Sequence, residues 1–103
     1  MAKLISIYWR DIPAQVIGRS ARNNFRKELP PRFAAAIDRA AMRAGRGASD
    51  AYLADWRRET EQVSGDIEQL VAERAKLLES RFDDDYLEAV VKAGGLIENV
   101  KAV

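Results

Sequence analysis

The chain has 103 residues and a net charge of only +1; a hydrophobic share of 48% and a charged share of 32% are typical of a folded domain rather than a disordered one. It contains no cysteine, which excludes disulfides and thiolate chemistry. It also contains no histidine, the residue most used for proton transfer near neutral pH. Its charges are divided by half. Residues 1–46 carry ten basic and three acidic side chains, and residues 47–103 carry seven basic and thirteen acidic ones. Either the basic half faces an anionic partner, or the halves neutralise one another within one copy or between copies.

The sequence indicates neither catalysis nor membrane insertion. The five serines have no histidine to act as a base, and the glycines beside Arg46 lack the spacing of a phosphate-binding loop. We therefore expect no enzyme, no catalytic residue, no cofactor and no metal. The three carboxylates of 83–85 suit a hard cation, but consecutive residues cannot all face one ion, so helix capping is favoured. No signal-peptide segment begins the chain, and no run approaches the ~20 apolar residues of a membrane span, which predicts a cytoplasmic protein.

Two strands open the predicted fold. Alternation over 4–10 places Ile5, Ile7 and Trp9 on one face of a strand. A turn over 11–14 contains Pro13, and 15–19 forms the return strand, in which Gly18 weakens the pairing or marks a bulge. The polar, cation-rich segment 20–28 is predicted to be a loop.

The first long helix is predicted to begin at the prolines 30–31 and to end near Ala44, because Gly45 permits a left-handed cap. Its buried stripe contains Phe33, Ile37, Ala40, Ala41 and Ala44. A second row forms a basic ridge on the helix: Arg32, Arg39, Arg43 and Arg46.

The segment 51–58 has two interpretations. Ser49 caps a short helix, or the aromatic residues form a third strand with Tyr52, Ala54 and Trp56 on one face; we favour the strand.

Two more helices are expected after this segment. Ser64 is predicted to cap a helix that runs to about Phe82 and buries an apolar stripe. The aspartates 83–85 begin a third helix, which the glycines 94–95 end. The order β-β-α-β-α-α predicts an α+β fold: one domain over 1–95, with a small antiparallel sheet and helices packed on one face, and a tail over 96–103.

Three segments together carry a family resemblance. They are the runs Tyr8–Val16, Leu29–Phe33 continued by Ala36–Arg43, and Ser49–Arg58. In this order they resemble the small bacterial "virulence factor" domain family, related to part of conserved virulence factor C, over roughly residues 4–82. The resemblance implies a short cytoplasmic protein, often encoded near corrinoid- or folate-dependent methyl-transfer proteins, and hence an accessory subunit. It implies no catalytic residues.

We expect a non-catalytic adaptor that docks a partner with an acidic surface. The predicted partner- or anion-binding residues are Arg10, Arg19, Arg22, Arg26, Lys27, Arg32, Arg39, Tyr8 and Trp56. A solvated or self-neutralised set of cations is the competing interpretation. The alternative function is a helper in corrinoid- or folate-dependent methyl transfer, in which the same arginines hold an anionic small molecule. A nucleic-acid binder is the least favoured, since few aromatic residues lie among the cations. No membrane partner is expected, and a homo-oligomer stays open.

Overall fold

Four antiparallel strands and four α-helices make up the part of the chain that the computed structural model describes, residues 2–47 and 49–100. The strands are β1 (Ala2–Trp9), β2 (Ile12–Arg19), β3 (Asn24–Glu28) and β4 (Trp56–Val63). The helices are α1 (Pro31–Arg43), α2 (Ser49–Ala54), α3 (Ile67–Arg81) and α4 (Asp84–Lys92), followed by a 3-10 turn at Ile97–Asn99.

The sheet has the order β3-β2-β1-β4, and every neighbouring pair is antiparallel. One face, called here the helix face, contains Leu4, Val16 and Gly18, and α3 packs against it. The other, called here the open face, contains Ile5, Ile7 and Ile17, the last two of which are partly exposed. α1 contacts β2 and α4. The predicted α+β class with an antiparallel sheet is confirmed.

The turn between β1 and β2 is shorter than predicted. It consists of Arg10 and Asp11 alone, and Trp9 pairs with Ile12. Pro13 is therefore inside β2, next to a bulge where Ala14 is the extra residue between two pairs of the register. A strand tolerates proline beside a bulge, because the ladder is already interrupted there.

Gly18 does not mark a bulge, which was one of the two interpretations offered for it. It pairs with Leu4 in regular register on the helix face. A Cβ on Gly18 would lie 2.5 Å from a methyl carbon of Val71 and 2.6 Å from Cγ1 of Ile67. The glycine therefore permits the close approach of α3 to the sheet.

Both edge strands differ from the predictions. The segment expected to be a loop contains β3, and the strand expected over 51–58 is replaced by the helix α2 followed by β4. Residues of β3 and β4 are mostly exposed on both faces, so neither strand has the apolar alternation that identifies a half-buried strand. Charged side chains are typical of edge strands, where they prevent pairing with other chains.

The long helices lie close to their predicted ranges. Gly45 follows α1 with a φ of 71°, as expected for a left-handed cap. The cap of α3 was predicted wrongly: its N-cap is Asp66, whose carboxylate accepts hydrogen bonds from the backbone N–H groups of Glu68 and Gln69. Asp83 caps α4 by accepting from the Tyr86 N–H.

The main core joins the helix face and the hairpin end of the sheet to α1, α3 and α4. Its fully buried members include Trp9, Ile12, Val16, Phe33 and Val90. The stripe predicted for α1 is confirmed except at Ala44, which is only partly buried. Of the predicted tail, Val100 packs against this core, and 101–103 lie outside the described residues. None of the helices described over 2–47 and 49–100 has the length and apolar character to cross a membrane.

Candidate functional site

The first cluster of charged residues lies at the β1–β2 turn and is called here the hairpin cluster. Asp55 accepts hydrogen bonds from the guanidinium groups of Arg10, at 3.1 Å, and Arg46, at 2.9 Å. Arg10 also donates to the carbonyl of Gly94 at 3.0 Å. Arg57 bonds to the Arg10 carbonyl and to Asp11.

Electrostatics and backbone conformation both indicate a structural role for this cluster. The guanidinium groups of Arg46 and Arg10 hold the pKa of the Asp55 carboxyl below its usual range. Arg10 adopts a φ of 52°, a left-handed conformation that is unfavourable for a side chain with a Cβ. The backbone N–H of Arg10 donates to the Asp55 carbonyl. Asp55 therefore binds both the backbone and the side chain of this turn residue.

Three aromatic rings lie beside the hairpin cluster. The Trp9 indole is fully buried, stacks on Tyr52 with 5.9 Å between ring centroids, and donates to the Tyr52 carbonyl at 2.9 Å. Trp56 is partly exposed and meets Tyr52 edge to face at 5.9 Å. Trp9 and Trp56 are register partners, and Tyr52 contacts both rings.

The predicted basic ridge of α1 is used within the protein. Arg32 donates to the carbonyls of Phe82 and Glu79 at the end of α3, and Arg43 donates to the Lys92 carbonyl at the end of α4. Cations at helix C-termini satisfy free carbonyls and complement the helix dipole. Arg39 forms a two-bond pair with Glu88, with distances of 3.0 and 2.7 Å. These arginines therefore join helices together.

The open face has a different character. Its centre is apolar, since Ile5 and Ile17 are register partners and Ile7 lies beside them. Ile5 is 4% exposed although it lies outside the main core. Charged residues surround this centre; the cations are Lys3, Arg19, Arg26 and Arg58, and the single acid is Glu28.

The four cations of the open face are exposed, and none of them forms an ion pair or a side-chain hydrogen bond with another residue of 2–47 or 49–100. Several acids of the C-terminal half pair with other arginines: Asp55 in the hairpin cluster, Glu61 with Arg74, and Glu88 with Arg39 of α1. The open face therefore carries exposed cations that form no ion pair with a carboxylate of the described residues.

The structure separates the residues predicted to bind a partner. Arg19 and Arg26 lie on the open face, with Arg22 in the turn between their strands. Arg10, Arg32 and Arg39 are engaged in the internal contacts described above.

The other three predicted residues are also divided between the faces. Lys27 and Tyr8 are on the helix face, where Arg57 covers the Tyr8 ring at 4.5 Å and burial raises the pKa of the phenol. Trp56 lies at the hairpin end of the open face.

Sequence reasoning missed Lys3 and Arg58, which complete the charged rim. The signal for Lys3 was present, because the alternation that places Ile5 and Ile7 on one face also places Lys3 there. By the same alternation Arg58 shares a face with Trp56, but the pairing of β4 with β1 that places this face beside Ile7 is set by the fold.

A cavity of about 240 Å³ lies at the hairpin end of the open face. Its lining is mostly apolar: Ala14, Leu29, Ala34, Ile37, Tyr52 and Trp56, with Gln15 and Glu28 as the polar members. The Oε1 atom of Gln15 is buried and has no hydrogen-bond partner among the described residues. The cavity is therefore mostly apolar, and the Gln15 Oε1 atom is not an accessible group of its wall.

These features define a class: a small α+β domain with a four-stranded antiparallel sheet, one face of which is covered by a helix. The chain belongs to the virulence factor family, because the family model described as "Virulence factor" matches residues 7–91. The match confirms the resemblance. No curated protein and no solved structure matches the chain.

Proposed function

We propose that the protein is a non-catalytic adaptor that docks a protein partner with an acidic surface on its open face. One observation carries the proposal: four exposed cations surround the partly exposed Ile7 and Ile17, and none of these cations forms an ion pair with a carboxylate of the described residues. An apolar centre inside a polar rim is the usual anatomy of a protein interface. Unbalanced rim charges select partners of opposite sign and accelerate their encounter.

A second copy of the chain is a poorer occupant of this face. Two open faces placed together would oppose four cations to four cations, with only Glu28 from each copy to offset them. Like charges facing one another cost free energy and act against association. The charge of the face therefore favours a different, acidic protein.

Nucleic acid also fits this face less well than an acidic protein. Surfaces that bind single strands present aromatic rings on which bases stack. The centre of the open face consists of Ile5, Ile7 and Ile17, and the aromatic Trp56 lies at its end. Phosphate contacts alone would give weak, strongly salt-dependent binding.

The proposal is tested with two probes of equal charge, a hexaglutamate peptide and a seven-nucleotide oligothymidine with six phosphates. The hexaglutamate is expected to bind the wild-type protein more tightly at low salt. The double variant Arg26→Glu with Arg58→Glu is expected to lose this binding, because the rim then carries opposite charges.

The matched control is Lys76→Glu with Arg81→Glu, which makes the same change in net charge on exposed residues of α3. This control should retain peptide binding. Equal loss of peptide binding in both double variants would show that only the net charge matters. Tighter binding of the oligonucleotide than of the peptide would contradict the adaptor function and favour a nucleic-acid binder.

The role in corrinoid- or folate-dependent methyl transfer stays a prediction. Thermal unfolding with folates and corrinoids tests it, since a bound ligand raises the midpoint. We keep the cytoplasm as the expected location, to be tested by fractionation of cells that express the tagged protein.

A further inference from the structure

The outer edge of β4 is a long, unpaired strand edge. Among the described residues β4 pairs only with β1, and the register of this pair is unbroken over Trp56–Val63. The strand contains no proline and no bulge, and its residues 57–62 are exposed. Edge strands are often short, bulged or interrupted by proline, which prevents another strand from adding to them. None of these features protects β4.

The even-numbered residues of β4 direct their backbone groups outward. The Arg10 N–H donates to the Asp55 carbonyl at 2.9 Å, and hydrogen-bonded pairs alternate with non-hydrogen-bonded pairs along an antiparallel ladder. The odd-numbered residues of β4 therefore bond to β1. The residues with outward N–H and C=O groups are Trp56, Arg58, Thr60 and Gln62. These groups have no backbone hydrogen-bond partner in the part of the chain that the structure describes.

The charges of β4 are sorted along the strand. Arg57 and Arg58 lie in its first half, and Glu59 and Glu61 lie in its second half. Charges of a single sign on an edge repel a second copy of the same strand. In β4, by contrast, an antiparallel copy would bring each basic half opposite an acidic half. The edge is therefore complementary to itself.

One register uses this complementarity best. A two-fold axis at Glu59 places Arg57 opposite Glu61 of the second copy, twice in the pair. An axis at Thr60 would instead place Glu59 opposite Glu61, and an axis at Arg58 would place that cation opposite its own copy. The two Glu59 carboxylates that meet on the preferred axis are each paired with Arg57 of their own chain. Exposed ion pairs add little affinity, but opposed like charges disfavour the other registers.

We propose that two copies of the chain pair antiparallel along β4, with the two-fold axis at Glu59, and form one sheet with four strands from each copy. The outward N–H groups of each β4 would donate to the outward carbonyls of the other, and such main-chain bonds provide the affinity when a strand is added to a sheet. The axis is perpendicular to the sheet, so the two open faces lie on the same side and their cations are not opposed. The dimer thus goes beyond the proposed docking function and uses a different surface.

Sedimentation of the full chain tests the dimer. The average mass should rise from one chain toward two, with a Kd below about 1 mM. Thr60→Pro removes an outward N–H and no bond to β1, a position at which edge strands tolerate proline. It should weaken dimerisation at least about ten-fold, because Thr60 donates once in each copy. Thr60→Ala keeps the N–H and should dimerise like the wild type, and urea denaturation of both variants verifies that they fold.

A cross-link tests the register without depending on the proline variant. The chain has no cysteine, and residues that meet at Glu59 form a non-hydrogen-bonded pair with Cα atoms about 4.5 Å apart, within the range of a disulfide. Glu59→Cys should therefore give a disulfide-linked dimer on mild oxidation. The matched control is Gln62→Cys, which is equally exposed and would lie about 20 Å from its copy. This control should stay monomeric under reducing-agent-free denaturing electrophoresis.

Four results would overturn the proposal. They are a wild-type chain that stays monomeric up to about 1 mM, a folded Thr60→Pro variant that dimerises as tightly as the wild type, and equal cross-linking of Glu59→Cys and Gln62→Cys. The fourth is protection of the even-numbered β4 amides from hydrogen exchange that depends on added hexaglutamate and not on protein concentration. That result would assign the edge to an acidic partner instead of a second copy.

Discussion

Ser6 is a single residue whose removal should stabilise the protein. It is 2% exposed on the helix face of the central strand β1, and its hydroxyl has no hydrogen-bond partner among the described residues. A buried hydroxyl without a partner costs about 1–3 kcal/mol. We expect Ser6→Ala to raise the free energy of unfolding by about 1 kcal/mol, measured by urea denaturation. A loss of stability instead would mean that the hydroxyl forms a bond in the folded state.

Gly18 should tolerate no larger residue. A Cβ there meets Ile67 and Val71 at distances well inside van der Waals contact, and both neighbours are β-branched and stiff. Gly18→Ala should therefore lower the free energy of unfolding by about 1–3 kcal/mol through overpacking. Gly47→Ala is the control, since a Cβ on Gly47 would meet nothing within 4 Å; equal effects of the two substitutions would contradict the close approach of α3.

Among the elements, α1 binds its neighbours through arginines. Arg32 is partly buried, donates to two carbonyls at the end of α3 and lies over the Phe33 ring at 4.4 Å. Arg32→Met should lower the free energy of unfolding by about 1–2 kcal/mol, because those carbonyls lose a charged donor. Arg39→Met makes the same change on the same helix but removes only an exposed pair, and it should change stability little. Equal losses would show that the contact with α3 is not what stabilises α1.

The elements also show which parts of the fold can be predicted from sequence. The ends of α1 and α4 follow from local chemistry, a proline at the start of α1 and glycines after each helix, and local signals of this kind act wherever the chain is placed. β3 and β4 lack such signals, since edge strands exposed on both faces carry charged residues without alternation. Their pairing with β2 and β1 is a tertiary property of the sheet.

The same limit applies to the candidate site. Proximity in the chain correctly groups Arg19, Arg22 and Arg26, which share one hairpin. Proximity in the chain cannot show that Arg10 and Arg32 are engaged in hydrogen bonds within the protein, because their acceptors are 45 to 84 residues away. The fold therefore decides which cations are free. The sequence alone does not distinguish the cations on the rim of the open face from the arginines that join helices.

For the whole molecule, carboxylate–arginine pairs predict a loss of stability in acid. Hydrogen bonds from arginines lower the pKa values of Asp55, Glu61 and Glu88 in the folded protein. A group with a lowered folded-state pKa stabilises above its unfolded pKa, and this contribution is lost as the pH falls through the folded pKa. The midpoint of unfolding should thus be nearly constant between about pH 7 and 5. It should decrease once the pH is lower than about 4.

Asp55 is the carboxylate whose replacement tests this acid sensitivity best, because it pairs with two arginines. Asp55→Asn should lower the free energy of unfolding by about 2 kcal/mol at neutral pH and should make the acid-induced loss smaller, as measured by denaturation across the pH range. An unchanged slope in the variant would mean that Asp55 does not contribute to the acid sensitivity.

The measurement that bears most directly on the central claim is a map of the hexaglutamate contact on the uniformly ¹⁵N-labelled protein by NMR. The adaptor account predicts that backbone amide shifts change most in the strands that form the open face, around Ile5, Ile17 and Arg26, and that their size falls as salt is added. Shifts concentrated on α3 around Lys76, or spread evenly over the surface, would contradict it.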